Sequence, residues 1–218
     1  MSSTPFPATI DWEDHWAATD RAELSEMRAA GERMARRLER YFDSFPASVA
    51  DVGCGPAFTL FELATTHPGT ELVGYDAARS VLRENRARAA DRDLENLAFR
   101  HGVLPELSAD RRFECVTCIA TLHYVADVAT AVERLLAHVK PGGTLVFNYP
   151  NRHTRRMYRG DPTTDPERFE LLLEGENLLS YDRIRKITGR RPRSFWKAVD
   201  EDDWRSIGQT NPCVVIER

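Results

Sequence analysis

Short apolar segments alternate with helical patterns between residues 48 and 149, and this alternation leaves few possible folds. The apolar segments are 48–52, 71–75, 97–100, 114–119 and 144–149. Amphipathic patterns of about 10 to 15 residues between such segments are typical of β-α units, whose helices cover both faces of a parallel sheet. We therefore predict an α/β fold with a doubly wound, mostly parallel sheet.

The flanking segments add further elements to this sheet. Apolar residues recur every three or four positions over 20–42, which predicts one long amphipathic helix before the first strand. After Pro150 the patterns are weaker. There we expect two helices followed by two strands, over 165–175, 181–188, 193–199 and 213–217.

The 218 residues contain no internal repeat and no low-complexity linker, so we predict a single domain over 1–218. Within it we expect an N-terminal helical cap (1–47), a ligand-binding core (48–149) and a variable region with the last strands (150–218). The oligomeric state is left open, because the long helix over 20–42 could pack on its own domain or across a dimer.

Charge and hydropathy restrict the partners. The formal net charge of −4 argues against a protein held on nucleic acid or an anionic membrane by its overall field. No stretch approaches the roughly 18 apolar residues of a membrane span, and the N-terminus lacks the pattern of a signal peptide. We expect a cytoplasmic protein with a small-molecule partner and no membrane partner.

The spacing of Cys115 and Cys118 suggests a metal site, but the surrounding run is apolar and reads as a buried strand. Residues three apart on a strand face opposite sides of a sheet, so the two thiols cannot share one ion. We expect core thiols and no bound metal. Cys54 and Cys213 stand alone and indicate no disulfide framework.

The first predicted strand ends in a glycine turn, Gly53-Cys54-Gly55, with Asp51 just before it. In parallel sheets ligands bind at the carboxyl ends of the strands, and glycine lets the backbone approach them closely. A dinucleotide fingerprint needs a third glycine where this chain has Phe58, and no Gly-Lys-Ser/Thr follows the turn. The turn therefore indicates a ligand smaller than NAD or FAD.

Four segments occur in the order and spacing of one known family. They are Val49 to Gly55, Tyr75-Asp76, Phe113 to Val116 leading to Leu122-His123-Tyr124, and Lys140-Pro141-Gly142-Gly143-Thr144-Leu145. On these segments the chain resembles class I S-adenosylmethionine-dependent methyltransferases, over residues 48 to 149. The resemblance implies a Rossmann-like sheet of seven strands with one late antiparallel strand. It also implies S-adenosylmethionine as cofactor and S-adenosylhomocysteine as product.

The resemblance assigns cofactor contacts. Asp51 would hold the methionine ammonium, Gly53 and Gly55 would pass beneath the methionine and ribose, and Asp76 would accept hydrogen bonds from both ribose hydroxyls. Alternatively, Asp76 caps a helix and Asp51 is a solvated acid at a strand end. The remaining cofactor-binding residues implied by the family are Ala77, Val103, Leu104, Cys118 and Trp16.

Two positions depart from the family pattern. Ala57 stands where a third glycine is common, which is a mild change because alanine is small. Val103 stands where many members carry the acid that binds the adenine amino group. Valine can pack on the ring but cannot accept a hydrogen bond, so adenine recognition would depend on backbone groups or on another side chain.

Methyl transfer from a sulfonium needs positioning and exclusion of water more than a base. His123 is the candidate base, with shaping of the pocket as the alternative. Tyr124, Tyr149 and Arg152 are candidate acceptor-binding residues. Arginine would bind an anionic acceptor, although packing for the tyrosines and a solvated basic loop for Arg152 are the alternatives.

These observations predict a methyltransferase that acts on a small acceptor, and Arg152 would favour an anionic one. A methyltransferase-fold protein that binds without catalysis is the alternative from another class. An RNA methyltransferase is a third reading, because arginines and aromatic residues alternate over 149–159. The acidic total charge argues against that third reading.

Overall fold

A computed structural model describes residues 10–108 and 111–218. Its centre is one seven-stranded sheet with the order β3-β2-β1-β4-β5-β7-β6. The strands are β1 (Ser48–Val52), β2 (Glu71–Asp76), β3 (Leu97–His101), β4 (Phe113–Cys118), β5 (Val139–Asn148), β6 (Arg193–Ser194) and β7 (Cys213–Glu217). The first five strands run parallel, and β7 pairs antiparallel with β5 and β6. The predicted α/β sheet with a late antiparallel strand is confirmed.

Ten α-helices connect and cover the strands within the described residues. They are α1 (Trp12–Ala18), α2 (Arg21–Tyr41), α3 (Phe58–Thr66), α4 (Arg79–Ala90), α5 (Val128–Ala137), α6 (Arg152–Gly160), α7 (Glu170–Glu174), α8 (Tyr181–Thr188), α9 (Phe195–Ala198) and α10 (Trp204–Thr210). A short 3-10 turn, Leu122–Tyr124, follows β4. The first nine residues of the predicted cap lie outside the described residues.

Three predictions after Pro150 were wrong in detail. The segment 193–199 is not a strand throughout, because the Ser194 side chain accepts a hydrogen bond from the Lys197 backbone N–H and starts α9. The predicted helix over 165–175 is reduced to α7, which Gly175 ends in the left-handed region. The expected basic loop after Asn151 is helix α6, capped by the Asn151 side chain.

The core has two layers, one on each face of the sheet. Leu38, Leu60 and Leu82 lie in the layer that covers one face, and Leu135 and Ile184 lie in the other. Cys115 belongs to the first layer and Cys118 to the second, as the strand geometry requires. Among the described residues no helix is long and apolar enough to cross a membrane.

Helix α2 approaches the start of α3 so closely that only glycine fits between them. A Cβ on Gly31 would lie 2.7 Å from the Phe58 Cβ and 2.9 Å from the Thr59 backbone nitrogen. The Thr59 hydroxyl donates to the Gly31 carbonyl at 3.3 Å. This contact fixes α2 beside the turn that follows β1.

Ala57, the residue just before α3, has φ +57° and lies in the left-handed region. An alanine there costs about 1 to 2 kcal/mol relative to glycine. The departure from the family pattern is therefore a strained backbone position, and its small side chain does not make it mild. Strain of this kind is common beside functional sites.

We predict that Ala57→Gly leaves the free energy of unfolding unchanged or raises it by up to about 1 kcal/mol, because relief of the left-handed strain exceeds the entropy that glycine adds to the unfolded chain. The matched control is Ala78→Gly. Ala78 is equally buried but has φ −83°, so that substitution should lose about 1 kcal/mol. Urea denaturation measures both, and an equal loss in the two variants would contradict the strain at Ala57.

Candidate functional site

A cavity of about 1060 Å³ lies at the carboxyl ends of the parallel strands. Its floor is formed by residues at the ends of β1, β2 and β4, and α1 and α2 form much of its cover. This is the edge at which α/β sheets bind their ligands. The volume is slightly above the usual range of about 300 to 1,000 Å³ for small-molecule sites, so the cavity has room for more than one ligand.

The glycine turn forms one side of the cavity. The backbone N–H groups of Gly53 and Cys54 both donate to the Tyr75 carbonyl, at 2.8 and 3.0 Å, so the turn is tied to the end of β2. Gly53 has φ +77°, and a Cβ there would lie 2.1 Å from the Thr121 hydroxyl oxygen. Glycine is therefore required at this position by both the backbone conformation and the space available.

Asp76 lies at the end of β2 in the cavity wall, and it is 7% exposed. One carboxylate oxygen accepts from the Gly55 backbone N–H at 2.8 Å, and the other accepts from the Ala78 backbone N–H at 2.9 Å. Burial raises the pKa of this carboxyl, against the effect of the backbone hydrogen bonds. Asp76 therefore fixes the chain just before α4 without being the N-cap residue of that helix, and it also lines the cavity.

Asp51, near the end of β1, is a second buried acid in the wall. Its carboxylate accepts from the Thr117 hydroxyl at 2.7 Å. Burial raises the pKa of Asp51 to about 6, and the nearby Asp76 contributes in the same direction. A buried carboxylate of this kind is costly without a cationic partner, so the pair is suited to binding a cation or hydroxyl donors. The reading of Asp51 as a solvated acid is not supported.

Helix α1 covers the glycine turn. The Glu13 carboxylate accepts from the backbone N–H groups of Arg79 and Ser80, at 2.6 and 3.0 Å, and so docks α1 on the start of α4. This places the Trp16 indole within 2.9 Å of where a Gly55 Cβ would be. The Trp12 ring lies edge-on to the Tyr124 ring, with centroids 4.7 Å apart. The two tryptophans and Tyr124 thus form an aromatic cover.

The structure brings most of the predicted cofactor residues together. The cavity wall includes Asp51, Gly53, Gly55, Asp76, Ala77, Val103, Leu104 and Trp16. Two acids that sequence analysis missed, Glu106 and Asp127, also line it, on the side of Val103 and Val125. The Asp127 carboxylate accepts from the Thr130 backbone N–H at 3.1 Å and caps α5, so its sequence position suggests only a helix cap. Glu106 lies in a loop and has no sequence signal of its own.

Four predicted site residues lie outside this wall. Cys118 and Tyr149 are fully buried in the core behind the strand ends. His123 is also buried, at 7% exposed, and burial lowers its pKa to about 4. A neutral imidazole in that position packs under the site and does not reach into the cavity, so the geometry does not favour its role as a base.

Arg152, the fourth, is exposed on the first turn of α6, where its Nε lies 3.1 Å from the His153 Nε2. Arg155 and Arg159 donate to the Leu173 carbonyl, at 2.8 and 3.1 Å, and so join α6 to α7. The anticipated basic loop therefore does not supply the arginines of the cavity. Those arginines are Arg33, Arg37 and Arg168.

A polar wall at the end of β5 was also missed. The Asn148 Oδ1 accepts from the Ala120 backbone N–H at 2.7 Å, and its Nδ2 donates to the Asn211 Oδ1 at 2.9 Å. Ala120 has φ +57°, a second alanine in the left-handed region at the cavity edge. The sequence places Asn148 at a strand end, but only the fold brings Asn211 beside it.

Comparisons with known proteins agree with this geometry. Residues 50–145 match the model of a family described as a methyltransferase domain. A ubiquinone biosynthesis O-methyltransferase of Alkalilimnicola ehrlichii is 35% identical over 109 residues, which are 49% of this chain and 43% of the relative. A trans-aconitate 2-methyltransferase of Deinococcus radiodurans is 32% identical over 126 residues, 57% of this chain and 46% of the relative. The chain thus matches less than half the length of these two relatives.

Solved structures share the fold. A methyltransferase of Haloferax volcanii, solved with its Trm112 activator, superposes with a TM-score of 0.66 at 20% identity and covers 96% of this chain and 98% of its own. The plantazolicin methyltransferase BpumL, solved with S-adenosylhomocysteine, has a TM-score of 0.58 at 11% identity and covers 94% and 93%. Over residues 50–145 the chain is therefore similar to methyltransferase domains, and this region holds the glycine turn and the two buried acids of the cavity wall.

Proposed function

We propose that this protein transfers the methyl group of S-adenosylmethionine to a small-molecule acceptor bound in the cavity. The observation that carries the proposal is the pair of buried carboxylates, Asp51 and Asp76, in the cavity wall on either side of the glycine turn. Asp51 matches the ammonium of the cofactor's methionine portion, and Asp76 matches the two hydroxyls of its ribose.

The residues of the wall fit this cofactor. Asp76 presents two carboxylate oxygens to a ribose diol, and Asp51 presents a buried negative charge to an ammonium. Ala77, Val103 and Leu104 give an apolar surface for a purine ring. Glu106 and Asp127 give carboxylate acceptors for its amino group. The cavity volume of about 1060 Å³ then leaves space for an acceptor.

When bound, the cofactor supplies a methyl group already activated on a sulfonium. The chain's own contribution is positioning and exclusion of water. The aromatic cover of Trp12, Trp16 and Tyr124 closes the cavity above the glycine turn, and the Asn148 side chain holds the backbone at Ala120. None of these contacts requires a catalytic base.

A small acceptor is supported by the relatives. The names of two of them specify ubiquinone biosynthesis and trans-aconitate, which are small-molecule substrates or pathways. The alternative of RNA as acceptor loses its main support in this structure, because Arg155 is bound to backbone carbonyls of α7 and the segment 152–160 is helical.

We expect Asp76→Asn to weaken S-adenosylhomocysteine binding at least tenfold, about 1.4 kcal/mol, because the amide accepts fewer hydrogen bonds from the ribose diol. Titration calorimetry measures the dissociation constant. The control is Asp20→Asn, which removes a charge from a helix-capping acid outside the cavity and should bind like the wild type. Unchanged affinity in a folded Asp76→Asn protein would contradict the proposed ribose contact.

We also expect the affinity for S-adenosylhomocysteine to fall about tenfold between pH 7 and pH 5, because Asp51 with a pKa of about 6 must be ionised to hold the ammonium. In Asp51→Asn the affinity should be low and nearly independent of pH over this range. Calorimetry at several pH values tests this, and a wild-type affinity that stays constant down to pH 5 would contradict the contact.

The raised pKa of Asp51 also predicts that its ionisation, which favours ligand binding, lowers the free energy of unfolding. Because the pKa of Asp51 is raised in the folded state from its usual 3.8, its ionisation destabilises the fold as pH rises from 4 to 6, and the cost is complete above pH 6. We expect Asp51→Asn to raise the free energy of unfolding at pH 7.5 by up to about 3 kcal/mol. The gain should disappear below pH 4, and denaturation at both pH values measures it.

A further inference from the structure

The cofactor contacts leave one charged part of the cavity unused. Helix α2 contributes Arg33 and Arg37, which lie one turn apart and both line the cavity. Positions four apart share one helix face, so the two guanidinium groups extend toward the same side. This side also carries Trp196 and Asn211, and we call these four residues the arginine wall.

Arg37 is already neutralised. Its Nε and Nη2 donate to the two carboxylate oxygens of Glu201, at 2.7 and 2.9 Å, in a bidentate pair. Its guanidinium also stacks over the Trp196 ring at 4.9 Å. Arg37 therefore fixes α2 against the segment before α10 and has little charge left for a ligand.

Arg33 differs from Arg37. Across residues 10–108 and 111–218, no hydrogen bond or ion pair engages its side chain, which is exposed at the cavity. The hydrogen bond from Arg37 is the main cause that lowers the pKa of Glu201, and the Arg33 charge adds only a small contribution. The arginine wall therefore carries a net positive charge, and the charge belongs to Arg33.

The arginine wall is continuous with the polar wall beside the glycine turn. The Trp196 Nε1 donates to the Asn211 backbone carbonyl at 2.7 Å. The Asn211 side chain accepts from Asn148, which in turn holds Ala120 next to the turn. A molecule placed against these amides would thus reach from the glycine turn to Arg33.

The third arginine of the cavity, Arg168, differs from Arg33 in being paired with an acid. Arg168 lies on the opposite side, with its Nη1 3.3 Å from the Glu23 carboxylate and its guanidinium over the Phe169 ring at 5.4 Å. Its charge is paired, and its aromatic contacts belong to the cover near Tyr124.

We propose that the methyl acceptor carries a carboxylate and that Arg33 binds it, which makes Arg33 the residue that selects small organic acids. This inference rests on the proposed function. A guanidinium recognises a carboxylate through two parallel N–H donors, a geometry that a neutral ester or alcohol does not reproduce.

The test uses the 218-residue chain saturated with S-adenosylhomocysteine. Calorimetry then measures the binding of three probes, trans-aconitate, 3,4-dihydroxybenzoate and glycerol 3-phosphate. Methyl esters of the two acids are the neutral comparisons. The variants are Arg33→Gln and Arg33→Lys, with Arg36→Gln as matched control. Arg36 is exposed on the same helix but does not line the cavity, so its substitution removes the same charge from outside the site.

We expect at least one carboxylate to bind the wild type, its ester to bind at least tenfold more weakly, and Arg33→Gln to lose at least tenfold for the acid. Arg33→Lys should lose less, and Arg36→Gln should match the wild type. The inference is overturned if neither acid binds, if both Gln variants lose affinity equally, or if the phosphate ester alone depends on Arg33.

S-adenosylhomocysteine binding is measured first in every variant and should be unchanged by Arg33→Gln. A wild type that does not bind S-adenosylhomocysteine overturns the proposed function itself. A wild type that binds it but shows no preference for acids over esters overturns only the role of Arg33.

Discussion

The hydrogen bond from the Gly55 backbone N–H to the Asp76 carboxylate joins the ends of β1 and β2, and the shape of the cavity depends on it. The same carboxylate also holds the chain at Ala78, just before α4 begins. Helix α4 in turn receives the Glu13 side chain and so positions the cover formed by α1. Asp76 therefore links the glycine turn, the start of α4 and the aromatic cover.

The residues around this cavity lower the stability of the fold, and the proposed function accounts for that loss. Two buried carboxylates face one cavity, and burial raises the pKa of both. Ala57 and Ala120 hold left-handed backbone conformations at the edge of the same cavity. Strain and unpaired charge concentrated in one place are typical of a site that a ligand completes. The remainder of the sheet, with apolar layers on both faces, supplies the stability that offsets them.

The sheet and the glycine turn at its edge could be predicted from the sequence because buried parallel strands and glycine turns leave strong local patterns. The structure of the segment after Pro150 could not be predicted from the sequence. Helix α6 is rich in arginine, and its N-cap residue Asn151 is of a type that is also common in loops. Arg33 looks like any charged residue on the outer face of an amphipathic helix. Its place at the cavity follows only from the contact of α2 with α3 at Gly31, which is a tertiary feature. The burial of His123 could not be predicted from the sequence either, because a position just after a strand does not reveal which way the side chain turns.

A crystal structure of the protein with S-adenosylhomocysteine tests the central claim most directly. The account predicts the ribose hydroxyls within hydrogen-bond distance of the Asp76 carboxylate, the amino group beside Asp51, and the purine against Val103 and Leu104. The arginine wall should remain open for an acceptor. A complex in which the nucleoside lies against Arg33 and Trp196, or outside this cavity, would contradict it.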